Sequence, residues 1–129
     1  MKGGLVEDEI SSQVILAAIE VHRHLGPGLL ESAYETCLCH ELELQGLSYS
    51  RQVVLPVVYK GIALDCGYRL DLVVEEKVAL ELKAVADIEP VHVAQVLTYL
   101  RLSGLRLGLL LNFNVSMLKH GIKRVVNGL

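Results

Sequence analysis

Near the start of the chain, apolar residues recur every third or fourth position: Ile10, Val14, Ala17, Ala18, Val21 and Leu25. That spacing puts them on one stripe of a helix over residues 9–25. Asp8 or Ser11 can cap its start, and Gly26-Pro27-Gly28 breaks the chain sharply after it. A second helix is expected from about Leu29 to Leu44, closed by Gly46. The pattern then changes to alternation. Residues 52–74, QVVLPVVYKGIALDCGYRLDLVV, read as strands with a hairpin turn at Lys60-Gly61. Pro56 marks the first of them as an edge strand or a bulged one. Glu75 to Lys77 form a second turn, and VALELKAV is a third strand. Pro90 opens another helix, closed by Gly104, and LRLGLLLNF is a nearly all-apolar strand, as a sheet covered on both faces requires. The tail SMLKHGIKRVVN reads as a short helix or turn plus a final extended piece.

The order is helix, helix, three meandering strands, helix, strand, tail. A helix that links the third strand to the fourth is a crossover of the kind that joins parallel strands. The expected architecture is an α/β sandwich whose four-stranded mixed sheet is flanked by helices. The 129 residues suit one domain, 1–129, around one core.

Composition narrows the material of that core. The chain is 52% hydrophobic with mean hydropathy +0.43, yet has five Tyr, one Phe and no Trp. Leu, Val, Ile and Ala must therefore fill it. No apolar run reaches the roughly 18 residues of a membrane helix. MKGGLVEDEI lacks the basic-then-apolar plan of a signal peptide. A cytoplasmic protein with no membrane partner is the expectation. Cys37, Cys39 and Cys66 are an odd number, which argues against a disulfide framework. Cys37, Cys39 and His40 suggest a metal site, but neighbours two apart on a helix do not share a face, and small buried thiols are the simpler reading. The net charge of −3 is uneven: residues 1–50 carry two basic and eight acidic side chains, whereas residues 90–129 carry five basic and no acidic ones. Such a division can give a basic face on an acidic molecule, or be mixed over the surface by folding.

Charged residues inside apolar strands are the sharpest feature. In LDLVV, alternation puts Leu70, Leu72 and Val74 on one face and Asp71 and Val73 on the other. In VALELKAV, Val78, Leu80 and Leu82 share a face opposite Ala79, Glu81 and Lys83. A loop of three residues, 75–77, puts Asp71 across from Glu81, and a slip of one residue would turn them to different faces. Opposed residues are about 4.5–5.5 Å apart at Cα, so two carboxylates there repel unless a cation intervenes. A hard divalent ion takes such oxygen ligands and acidifies a water for attack on a phosphodiester. Lys83 falls on the same side, where it can hold that water or neutralise the transition state. The plainer alternative is that these charges meet solvent and Lys83 pairs with Glu81 at the surface.

The ordered set GYRLD, then ELK ten residues after the Asp, then Gln95 and Tyr99 in AQVLTYL, resembles the PD-(D/E)XK nuclease superfamily. Gly28, Glu31 and Tyr34 in GPGLLESAYE resemble the motif that names its GxxExxY family, and the likeness runs from about residue 10 to 127. Arg69-Leu70 stand where the superfamily motif has a proline before the Asp. The resemblance implies a restriction-endonuclease-like fold and a Mg²⁺ (or Mn²⁺) site. Asp71, Glu81, Glu31 and the Leu82 carbonyl would be its ligands, and Asp71, Glu81 and Lys83 the catalytic set. Gln95 and Tyr99 would line the site and touch substrate. From the residues alone, Gln95 and Tyr99 share a helix face that can equally pack on the sheet. Glu31 can equally be a carboxylate favoured at a helix start, and Tyr34 suits packing better than chemistry. The leading expectation is a divalent-metal-dependent nuclease whose partner is DNA or RNA. The alternative is a non-catalytic binding or assembly module that keeps the nuclease fold, as a homo-oligomer.

Overall fold

The computed structural model describes residues 4–129. Helix α1, Glu7–Leu25, carries Glu7, Asp8 and Glu9 in its first turn and His22, Arg23 and His24 in its last, matching the helix dipole. Neither Asp8 nor Ser11 caps it: the N-cap is Val6, without a side-chain bond, and Ser11 is buried. Helix α2, Glu31–Leu44, follows the Gly26–Gly28 break. Then come β1 (Tyr49–Val54), β2 (Val57–Tyr59), β3 (Ile62–Leu64), β4 (Arg69–Val74) and β5 (Val78–Lys83). Helix α3, Pro90–Ser103, leads to β6 (Leu107–Asn112), and a 3₁₀ turn, Leu118–Gly121, leads to β7 (Ile122–Val126). No helix among the described residues is long and apolar enough to cross a membrane.

The main sheet has the order β1-β4-β5-β6-β7. Strands β5 and β6 are parallel across the α3 crossover, and the remaining neighbours are antiparallel. The sheet is thus mixed and helix-flanked as expected, but it has five strands rather than four. The extended tail becomes β7, pairing from Leu111–Ile122 to Leu107–Val126. All six residues of β6 are buried, and β7 satisfies backbone groups that an uncovered β6 edge would leave unpaired.

The expected three-strand meander also differs. Lys60 and Gly61 do turn, both with positive φ, but β2 and β3 form a separate two-stranded ribbon. Pro56, which has no N–H to donate, lies between β1 and β2. β1 then pairs with β4 across the base of the ribbon and is an edge strand of the main sheet.

Two apolar layers hold the sheet. Ile10, Val14 and Ala17 of α1, and Leu38 and Leu42 of α2, pack with Leu72, Leu80, Leu82 and Leu109. On the other face, Val96 and Leu100 of α3 pack with Ala79, Leu110 and Val125. Gly108 lets α3 approach closely, since an added Cβ would come within 2.8 Å of Val96.

Candidate active site

Asp71 and Glu81 stand at a fork in the sheet. The β4–β5 register runs Val74–Val78, Val73–Ala79 and Leu72–Leu80, and one further step puts Asp71 opposite Glu81. The pairing stops there, while β5 continues along β6 through Lys83, opposite Asn112. Side chains bridge the gap. The Asp71 amide donates to Glu81 Oε1 at 3.0 Å, and the Leu82 amide donates to Asp71 Oδ2 at 2.8 Å. Each carboxylate is held by the other strand's backbone, so the two acids are fixed together.

The same row interrupts β1. Arg51 pairs with Leu72 and Val53 with Leu70, whereas Gln52 between them adopts φ +49° outside the ladder. Leu70 consequently does not share a face with Leu72 and Val74, as strict alternation required. It packs in the α3-side layer with Val53 and Val73, while Leu72 and Val74 face α1 and α2. Alternation slips at Asp71 because its backbone leaves the ladder on both sides.

Glu31, the first residue of α2, reaches the end of β5: its Oε2 accepts the Ala84 amide at 3.2 Å. Tyr34 explains how the preceding loop is held. Its ring is fully buried and stacked on Phe113, with centroids 4.4 Å apart. Its hydroxyl donates to the Gly26 carbonyl at 2.6 Å and accepts the Leu29 amide at 3.2 Å. Tyr34 therefore anchors the Gly-Pro-Gly break and with it the start of α2. Buried Asn112 fixes the segment after Lys83, accepting the Val85 amide at 3.1 Å and donating to the Val85 carbonyl at 2.9 Å.

Lys83 is half-buried beside Glu81, yet its ammonium makes no ion pair or hydrogen bond among the described residues; the surface pair with Glu81 is not formed. Tyr99, on α3, is close enough to feel the charges of Glu81 and Asp71. Gln95, one turn earlier, is exposed without a hydrogen bond among the described residues. His92 on the same side belongs to the helix cap, accepting the Glu89 amide at 2.8 Å.

Three residues join the constellation without having been singled out from sequence. Gln52 Nε2 donates to Glu35 Oε1 at 2.9 Å and, longer, to Asp71 Oδ1 at 3.4 Å. Arg51 grips buried Glu35 through both Nε and Nη2, at 3.0 and 2.9 Å. The available signal was that Glu35 lies one helical turn after Glu31.

Carboxylates outnumber free cations here. Burial, then the neighbouring Asp71 charge, push the Glu81 carboxyl up to about 8, against a smaller opposing pull from Lys83. Burial raises Asp71 as well, with the charges of Glu35 and Glu31 adding to it. A divalent cation would relieve that repulsion, and the donors are all oxygen, as a hard ion prefers. The second oxygens of Glu31 and Glu81 have no hydrogen bond among the described residues. No three His, Cys, Asp or Glu side chains among the described residues already converge as a cage. That includes the Cys37–Cys39–His40 stretch, where Cys39 is buried and Cys37 half-buried.

The fork thus brings two acids together, with a lysine two residues after Glu81 on the same strand. The chain matches the family model of the PD-(D/E)XK nuclease superfamily over residues 8–125 and belongs to that superfamily. Its helix-flanked mixed sheet is consistent with the restriction-endonuclease-like fold. Nucleases of this superfamily generally use divalent metals. No curated protein and no solved structure matches the chain.

Proposed function

We propose that this protein, as one domain over residues 1–129, is a divalent-metal-dependent nuclease of the GxxExxY family that hydrolyses phosphodiester bonds in DNA or RNA. The observation that carries this reading is the mutual clamping of Asp71 and Glu81 at the open end of the β4–β5 pair, with the unpaired Lys83 beside them. Glu31, Asp71 and Glu81 would hold Mg²⁺ or Mn²⁺ by their carboxylates, and Leu82 by its carbonyl. Support for Leu82 comes from strand geometry: the N–H and C=O of one residue point to the same edge. The Leu82 amide meets Asp71 on the β4 edge, while the neighbouring Lys83 carbonyl accepts the Phe113 amide on the β6 side.

When bound, the metal supplies a Lewis acid that neutralises phosphoryl charge and makes a water nucleophilic. The chain does the rest. Asp71 and Glu81 are locked by backbone bonds, so little reorganisation accompanies the reaction. Lys83 places an ammonium where it can orient the attacking water and offset charge on the phosphoryl oxygens. Tyr99 and Gln95 line the approach from α3 and contact substrate. Cys37, Cys39 and Cys66 are free thiols, in keeping with a reducing, cytoplasmic setting.

Asp71→Asn, Glu81→Gln and Lys83→Met should each lower cleavage of DNA or RNA by ~10²-fold or more while leaving the circular dichroism spectrum unchanged. Wild-type protein that cleaves neither polymer with Mg²⁺ or Mn²⁺ would sink the enzymatic reading.

One observation favours the second reading, a non-catalytic assembly module. Tyr59 and Ile62 are cross-strand partners on the β2–β3 ribbon, 60% and 61% exposed, and Leu64 on the same face is 41% exposed. Two-stranded ribbons are marginal alone and gain from packing, so homo-oligomerisation through this face is its natural form. Calorimetry separates the two: absence of metal binding, with Asp71→Asn behaving as wild type, favours the module.

A further inference from the structure

Tyr68 lies three residues before Asp71 and is 43% exposed. Its ring rests against Tyr99, with centroids 5.9 Å apart and planes inclined by 51°, an arrangement aromatic pairs favour. Its backbone is doubly held: the carbonyl accepts the Leu55 amide at 2.9 Å and Arg69 Nη1 at 3.0 Å. Its hydroxyl has no hydrogen-bond partner among the described residues. Tyr34 is spent in the core and the Tyr49 hydroxyl is bound to Glu43. The Tyr68–Tyr99 pair is therefore a fixed, half-open aromatic surface beside the fork.

The charges around it matter as much. Affinity for duplex rests largely on cations neutralising phosphates. Here Arg51 is committed to Glu35 and Arg69 to Asp65, and the whole chain has net charge −3. Of the cations on β1, β4 and β5 near the fork, Lys83 alone makes no ion pair among the described residues. At the fork itself, grip needs another source. Base–aromatic stacking supplies it, and requires a base that is already free of its partner.

We propose that Tyr68, braced by Tyr99, is a substrate-contacting residue on which one unpaired base stacks, so that the protein takes single-stranded nucleic acid or frayed ends in preference to intact duplex. This rests on the nuclease reading of the adjacent fork and names the form of nucleic acid that fork receives.

The test is binding of labelled DNA and RNA oligonucleotides, each as a single strand and as duplex of the same sequence. It uses the full chain with Ca²⁺ in place of Mg²⁺ to hold off cleavage. Wild type should prefer single strands. Tyr68→Ala and Tyr68→Leu should lose on the order of 10-fold in single-strand affinity with duplex affinity unchanged, whereas Tyr68→Phe should retain it. Because the chain has no Trp, tyrosine emission is visible, and a stacking base should quench it in wild type more than in Tyr68→Phe. Duplex bound as tightly as single strand, or a folded Tyr68→Ala that binds single strands like wild type, overturns the proposal. The two readings fail separately. Cleavage with an indifferent Tyr68 leaves the nuclease and removes the shelf. Tyr68-dependent single-strand binding without cleavage under Mg²⁺ or Mn²⁺ leaves the shelf and removes the nuclease.

Discussion

Glu81 holds the Asp71 amide and also crowds the Asp71 carboxylate, and the two roles have opposite signs at different pH. Its pKa stands near 8 in the folded chain, above the 4.5 of a free glutamate. Between those values the native state binds more protons than the unfolded state. Stability of the metal-free protein should therefore fall as pH rises through that window, by at most about 1.4 kcal/mol per pH unit. The contribution is fully present below pH 4.5 and lost once pH passes about 8. Thermal melts in chelator should reveal it, and Glu81→Gln should flatten the slope. A wild-type melting temperature that rises from pH 5 to 8 would contradict it. The placement of Asp71 across from Glu81 was legible from sequence because the three-residue loop and strand register are local rules. Glu35, Arg51 and Gln52 were not, since their link is tertiary: a helix face meets an edge strand whose Gln52 leaves the ladder. Leu70 misled for the same reason, as the slip at Asp71 accompanies the Glu81 side chain taking its amide on one side and the Gln52 backbone leaving the ladder on the other.

At the scale of elements, helices α1 and α3 and the parallel β5–β6 pair followed from periodicity, caps and the length of the crossover. The fifth strand and the ribbon did not. IKRVV has two exposed charges in five residues, so its pattern does not distinguish an edge strand from an extended tail. Lys60-Gly61 gave the turn correctly, but pairing β1 with β4 across the inserted ribbon is a long-range choice that turn chemistry does not reveal. The join between the 3₁₀ turn and β7 is a tight point. A Cβ on Gly121 would overlap the Asn112 carbonyl, and Asn112 clamps the segment just beyond Lys83 through Val85. Gly121→Ala should thus destabilise the fold by about 1–3 kcal/mol, as overpacking does, seen as a lower urea midpoint. Cleavage under native conditions should drop as well, because the loop after Lys83 loses its anchor. An unchanged midpoint would mean that the turn relaxes freely.

Charge is where the whole molecule departs from its sequence order. One cation of the basic last third is tied to the acidic beginning: Arg124 of β7 reaches back to Asp8 of α1, Nη2 to Oδ1 at 2.7 Å. With Arg51 and Arg69 also paired, few cations beside the fork remain to release counterions when a nucleic acid binds there. The salt dependence of single-strand binding reads that number directly. For single strands the slope of log K against log salt is about −0.7 per phosphate neutralised. Two or three contacts, Lys83 among them, would give a slope of roughly −1.5 to −2. Anisotropy titrations of a single-stranded oligonucleotide from low to moderate salt should find that shallow line, and Lys83→Met should flatten it by about one contact's share. A slope steeper than about −4 would mean about six phosphates neutralised, drawing on cations beyond the fork such as Lys119 and Lys123. Binding would then be governed by charge rather than by stacking beside the fork, and duplex should compete on equal terms.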